Sequence, residues 1–134
     1  MAEMIIWEKA DLKPSGPWYK VYEKGHTGNA PTLKYTDEQK AFSVIDRATF
    51  LTLQKSIKLV VLVEHDEILL NFISLIPVNP EKFPTVKYKE AMTFINWLTA
   101  PDKGQLIVRD FGKDKFGSPL FFPNSDAWKA AEKK

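Results

Sequence analysis

Cysteine is absent from this 134-residue chain. That excludes disulfides and thiolate chemistry and leaves the compartment open. Histidine occurs only at His26 and His65, with no nucleophile motif to accompany either, so Ser/His/Asp chemistry has no support. His65 stands between Glu64 and Asp66, but neighbours on an extended chain point to opposite faces and chelate poorly. A solvated turn is the reading there, and no metal is expected. Residues 25–28 carry glycines without the spacing of a phosphate loop or a dinucleotide fingerprint. An excess of one charge is also lacking: 19 Lys and Arg against 17 Asp and Glu give +2. No basic run marks a nucleic-acid surface. The longest apolar stretches, such as residues 59–63, are far too short to span a bilayer. Met1-Ala2-Glu3-Met4 has an early acid and no apolar run, so no signal peptide is expected in this chain. Enzymes are the class these absences favour least.

Apolar residues make up 44% of the chain and aromatics 13%. That is enough for a core, in one compact domain or part of a larger one. A short helix is expected over residues 3–10, followed by the breaker Lys13-Pro14-Ser15-Gly16-Pro17. Trp18, Tyr19 and Tyr22 could offer a stacking surface, as could Phe94 and Trp97, but core packing is the better reading. Residues 25–30 form a loop, and Pro31 suits the first turn of a helix running to about Gln39. Residues 41–45 read as a short strand and 47–56 as a helix with an apolar face at Phe50, Leu51, Leu53 and Ile57. The run Leu59-Val60-Val61-Leu62-Val63 reads as a strand buried on both faces. Residues 69–78 are a second extended segment, with Pro77 placing its end on an edge. The clearest helix covers 87–99, with Tyr88, Ala91, Met92, Ile95 and Leu98 on one face. Pro101 opens another helix that Gly112 ends. The tail from Ala127 is expected to fray. Strands alternating with helices indicate an α/β architecture.

Arg47 carries the most chemistry. Asp46 reads as the N-cap of the helix that begins there. Free N–H groups and the positive end of the helix dipole favour an anion at such a turn. A guanidinium adds a permanent charge and a planar fork of donors suited to tetrahedral oxyanions. On these residues alone, Arg47 is either an anion ligand or an exposed cation paired with a neighbour such as Asp46.

Several segments, taken in order, resemble the C-terminal half of the tungstate-binding proteins of ABC transporters, which belong to the class II periplasmic solute-binding proteins. They are Pro17-Trp18-Tyr19, residues 41–51 around Asp46-Arg47, residues 59–66, and Ile76-Pro77-Val78-Asn79-Pro80-Glu81-Lys82. Residues 88–101, 110–117 and 120–124 continue the likeness. The resemblance implies a periplasmic-binding-protein-like α/β fold that is incomplete here. It assigns residues 1–68 to part of the second lobe and 69–134 to the crossover and the C-terminal helices returning to the first lobe.

It further implies an oxyanion ligand, tungstate or molybdate, bound and delivered without turnover and without a cofactor. Arg47, Thr49, Thr27 and Gly28 would contact the anion, with Asp46 capping the helix beneath them. The implied partners are a membrane permease and either a missing N-terminal half or further copies of this chain. The implied location is periplasmic or extracellular, at the cell surface. Two family motifs, a Thr/Ser-rich anion loop and a Ser-Gly-Thr-His element, are not in this chain. The family's Asp-Arg-Gly-Thr becomes Asp46-Arg47-Ala48-Thr49. The chain alone is therefore expected to bind tungstate weakly or not at all. An oxyanion-sensing regulatory domain, or a structural remnant that self-assembles, is the alternative.

Overall fold

A computed structural model describes residues 2–133. It divides into two compact units, Met1–Phe72 and Ile73–Lys134.

In the first unit, α1 (Ala2–Lys9) carries Glu3 in its first turn, and the Trp7 indole N–H donates to that carboxylate at 2.9 Å. Trp7, Trp18 and Tyr19 meet edge-on, with ring centroids 5.8 to 6.4 Å apart, the geometry that ring quadrupoles favour. A 3₁₀ turn, Gly25–Thr27, leads into α2 (Asn29–Gln39). Pro31 fits α2's first turn because amides there have no intrahelical acceptor. Lys40 ends α2 in the left-handed region at φ 52°. This lets the amides of Lys40 and Ala41 close onto Asp37 and Thr36 carbonyls, both at 3.1 Å. After a stretch outside any helix, α3 (Arg47–Leu53) follows its N-cap Asp46. Leu33 of α2 and Leu51 of α3 are the buried apolar side chains where these helices pack.

The second unit contains α4 (Tyr88–Thr99), α5 (Gly104–Asp110), α6 (Lys113–Phe116) and α7 (Asp126–Glu132). α5 turns back tightly on α4. A Cβ at Gly104 would stand 2.4 Å from the Leu98 Cα, so only glycine fits. Buried Gln105 then donates from Nε2 to the Leu98 carbonyl at 2.9 Å. Its Oε1 accepts from the amides of Asn124 (3.1 Å) and Ser125 (3.3 Å). Ser125 caps α7 by accepting from the Trp128 amide at 3.1 Å, while its hydroxyl donates to the Thr99 carbonyl at 2.7 Å. One glutamine and one serine thus join the end of α4 to the starts of α5 and α7.

The expected α/β sheet is not formed: no strand occurs among the described residues. Residues 41–45, 59–63 and 70–78 lie outside helices without a partner strand, and Leu69, the expected start of the segment 69–78, ends a 3₁₀ turn (Glu67–Leu69) instead. Strand character needs a ladder to a second segment, and local pattern cannot supply one. The double burial expected for residues 59–63 fails for the same reason. Val60 is 72% exposed and Val63 69%. Trp18, Phe94 and Trp97, read as core residues, are also exposed, although Phe94 and Trp97 stack on each other at 6.2 Å. The helix expected over 47–56 stops at Leu53, and the tail expected to fray holds α7 instead. The chain exposes 11035 Å². Two separate folded domains of half its mass would expose only about 8,700 Å². Much apolar surface is therefore left that this chain does not cover by itself.

Candidate functional site

The site is built where α3 starts. Asp46 is extended (φ −71°, ψ 147°), which aims its carboxylate across the first turn of the helix. Oδ1 accepts from the Thr49 amide at 2.8 Å. Oδ2 accepts from the Thr49 hydroxyl at 2.6 Å and from Asn29 Nδ2 at 2.7 Å. Asn29 is the first residue of α2, so this one carboxylate brings the N-terminal ends of α2 and α3 together. Burial alone would push the Asp46 carboxyl up. The hydrogen bonds from Thr49 and Asn29 outweigh that and hold it below the usual carboxylate range.

Arg47 follows, half-buried, and its Nη1 donates to Glu64 Oε2 at 2.6 Å. Glu64 follows the apolar run of residues 59–63, and its Oε1 lies 3.5 Å from His65 Nε2. The corner thus combines a held cation, a carboxylate that has found it, and two helix starts drawn together.

Thr27 and Gly28 stand immediately before Asn29, so the Asn29–Asp46 bond brings their loop to the same corner as Arg47 and Thr49. The Thr27 hydroxyl donates to the Lys24 carbonyl at 2.6 Å, and the Gly28 amide to the Gly25 carbonyl at 3.3 Å. A hydroxyl has one proton to donate. Thr27 and Thr49 direct theirs inward here, and each would have to rotate to reach a ligand. Gly28 adopts φ 118°, a conformation that L side chains rarely take. Asn29 and Glu64 escaped the sequence reading. Asn29 could have been found from the preference of Asn for helix starts. No local signal ties Glu64 to Arg47, which lies 17 residues away.

Neither a family model nor a solved structure matches this chain. Curated proteins do. A Haloferax volcanii protein, provisionally named an ABC-transporter anion-binding protein, is 41% identical over 128 residues. The match covers 92% of this chain and 36% of that protein. The chain is similar to part of an anion-binding protein. Tungstate-binding protein TupA of Peptoclostridium acidaminophilum is 33% identical over 123 residues, 92% of this chain and 42% of its own length. TupA of Campylobacter jejuni is 34% identical over 123 residues, 89% of this chain and 44% of its own. The chain spans less than half the length of each of these relatives. Because even the shortest match takes in 89% of the chain, the central residues Asp46, Arg47 and Glu64 fall inside all three. The resemblance to tungstate-binding proteins therefore holds over nearly the whole chain. Among the described residues, no helix is long and apolar enough to cross a membrane.

Proposed function

We propose that this chain forms part of an ABC-transporter solute-binding protein for a tetrahedral oxyanion, tungstate or molybdate. It captures and delivers the anion and catalyses nothing. The observation that carries this reading is 33–41% identity, over about nine-tenths of the chain, to proteins named for tungstate or anion binding. The corner geometry supports it. Arg47 supplies the permanent charge. Asp46 supports the site from beneath by fixing the start of α3. Thr49, Thr27 and Gly28 would add donors after a rotamer or loop adjustment, the loop being tied to the corner through the Asn29–Asp46 bond. An enclosed dianion needs donors converging from several sides. This corner offers few, so the rest of the site would come from the part of the relatives that this chain does not span.

The same part explains the missing sheet. Residues 59–63 and 70–78 have the composition of strands and lack neighbours, so a class II α/β lobe would form when strands are supplied to them. On this reading the partners are the oxyanion, a permease, and the complementary half of the solute-binding protein. The place of work is the periplasm or the outer cell surface.

The exposed apolar segments favour one further reading, in which copies of this chain cover one another by exchanging elements. Light scattering decides: the account expects association at micromolar concentration, and a stable monomer with cooperative unfolding counts against it. For the main reading, the measurement is thermal stability in millimolar tungstate. The chain alone should show no shift. The chain joined to the complementary portion of the Peptoclostridium acidaminophilum relative should gain several degrees, because stabilisation follows ligand occupancy. No gain in the joined protein would remove tungstate from the account.

A further inference from the structure

We infer that Glu64 is an internal competitor for Arg47, so that an incoming oxyanion must displace its carboxylate before binding. This rests on the proposed oxyanion role of Arg47. Arg47 Nη1 already holds an anion, Glu64 Oε2, at 2.6 Å. A carboxylate and a tetrahedral oxyanion offer a guanidinium the same kind of paired oxygen acceptors. They therefore compete for the same N–H groups.

The two partners differ in how firmly they are placed. The Arg47 side chain is 31% exposed and stands on α3, whereas Glu64 is 47% exposed and follows a segment that lies outside any helix. Glu64 is the partner free to swing away. His65 Nε2, 3.5 Å from the other Glu64 oxygen, gives the released carboxylate a neighbour to turn towards. Left where it is, the Glu64 charge would repel a dianion arriving at Arg47.

A purely positioning role predicts the opposite sign. If Glu64 served only to aim Arg47, removing its charge would weaken oxyanion binding. If it competes, removing its charge tightens binding. The isosteric change Glu64→Gln separates the two.

The chain has two arginines, Arg47 and Arg109. Arg109 is paired with Asp110 through Nε at 3.0 Å and Nη2 at 2.5 Å, so it serves as an internal control. The experiment follows the Nε–H signals of Arg47 and Arg109 by NMR in this chain joined to the complementary portion of the Peptoclostridium acidaminophilum relative, because the chain alone is expected to bind tungstate weakly or not at all. Sodium tungstate is titrated against sodium chloride of equal ionic strength.

Three results are expected. Glu64→Gln shifts the Arg47 signal without tungstate and leaves Arg109 in place. Tungstate moves Arg47 and not Arg109. The midpoint for Arg47 falls about two- to fivefold in Glu64→Gln, the span of an exposed ion pair expressed as an equilibrium constant. An unchanged or higher midpoint in Glu64→Gln overturns the competitor role and leaves the oxyanion role of Arg47 intact. Tungstate moving Arg47 in neither protein, even at millimolar concentration, overturns both. That result is distinct, because it shows no contact at all.

Discussion

Asp46 in the first unit and Gln105 in the second each gather three hydrogen bonds onto one side chain. Asp46 receives the Thr49 amide, the Thr49 hydroxyl and Asn29. Gln105 binds the Leu98 carbonyl and the amides of Asn124 and Ser125. Gln105 is neutral and buried, and joins helix ends that a close glycine contact already fixes. Asp46 is charged and half-exposed, and its neighbour Arg47 reaches a carboxylate at the surface. A neutral buried hub offers an ion nothing to act on. A charged hub at the surface can respond to pH and to an arriving anion. On the proposed reading, function belongs with the second kind.

That contrast can be broken by substitution. The largest effect should come from Gly104→Ala, because the new Cβ meets backbone that cannot move aside. A loss of about 3 kcal/mol from the second unit is expected, at the upper end for overpacking. Urea denaturation measures it, and a neutral result would mean that α4 and α5 are not in such close contact. Gln105→Leu should cost about 2 kcal/mol, since it leaves buried backbone groups without partners.

Asp46→Ala should cost about 1 kcal/mol, the ordinary worth of a helix cap, and should loosen α2 from α3. The pH dependence sharpens the comparison further. The folded carboxyl of Asp46 is held below its ordinary value. Its contribution is therefore full above the unfolded carboxyl value, near 4, and is lost as pH falls through the lower folded value. The difference between the wild type and Asp46→Ala should be constant from about pH 5 upwards and shrink below about pH 4. The Gln105→Leu penalty should stay level over the same range, and a parallel fall in both would erase the distinction between the hubs. Arg47→Ala, measured without ligand, should change stability least, by about 1 kcal/mol or less, as for any exposed ion pair.

Local chemistry was legible in the sequence, and distant pairing was not. The Asp46 cap could be read because a carboxylate before an apolar helical pattern has one obvious use there. The helix Tyr88–Thr99 could be read from its spacing alone. The start of α7 was equally readable in Ser125-Asp126, a capping serine before a helical run, although the tail from Ala127 was expected to fray. The strands misled because Leu59-Val60-Val61-Leu62-Val63 has strand composition wherever it lies, while a strand exists only beside another. At the site, Arg47 stood out by residue type, while Thr49 came only from the family resemblance. The pairings at the corner did not stand out: a 17-residue gap separates Arg47 from Glu64 and Asn29 from Asp46. Such contacts are properties of the fold, and no window of sequence contains them.

The central claim is that Arg47 binds an oxyanion, and calorimetry tests it most directly. Tungstate would be titrated into the chain joined to the complementary part of a relative, with and without Arg47→Ala. A charge-assisted hydrogen bond contributes about 1.5–3 kcal/mol, so the variant should bind about ten- to a hundredfold more weakly. Arg47→Lys should recover only part of the loss, because an ammonium lacks the planar fork. Equal affinity in the wild type and Arg47→Ala would contradict the account and move the site elsewhere.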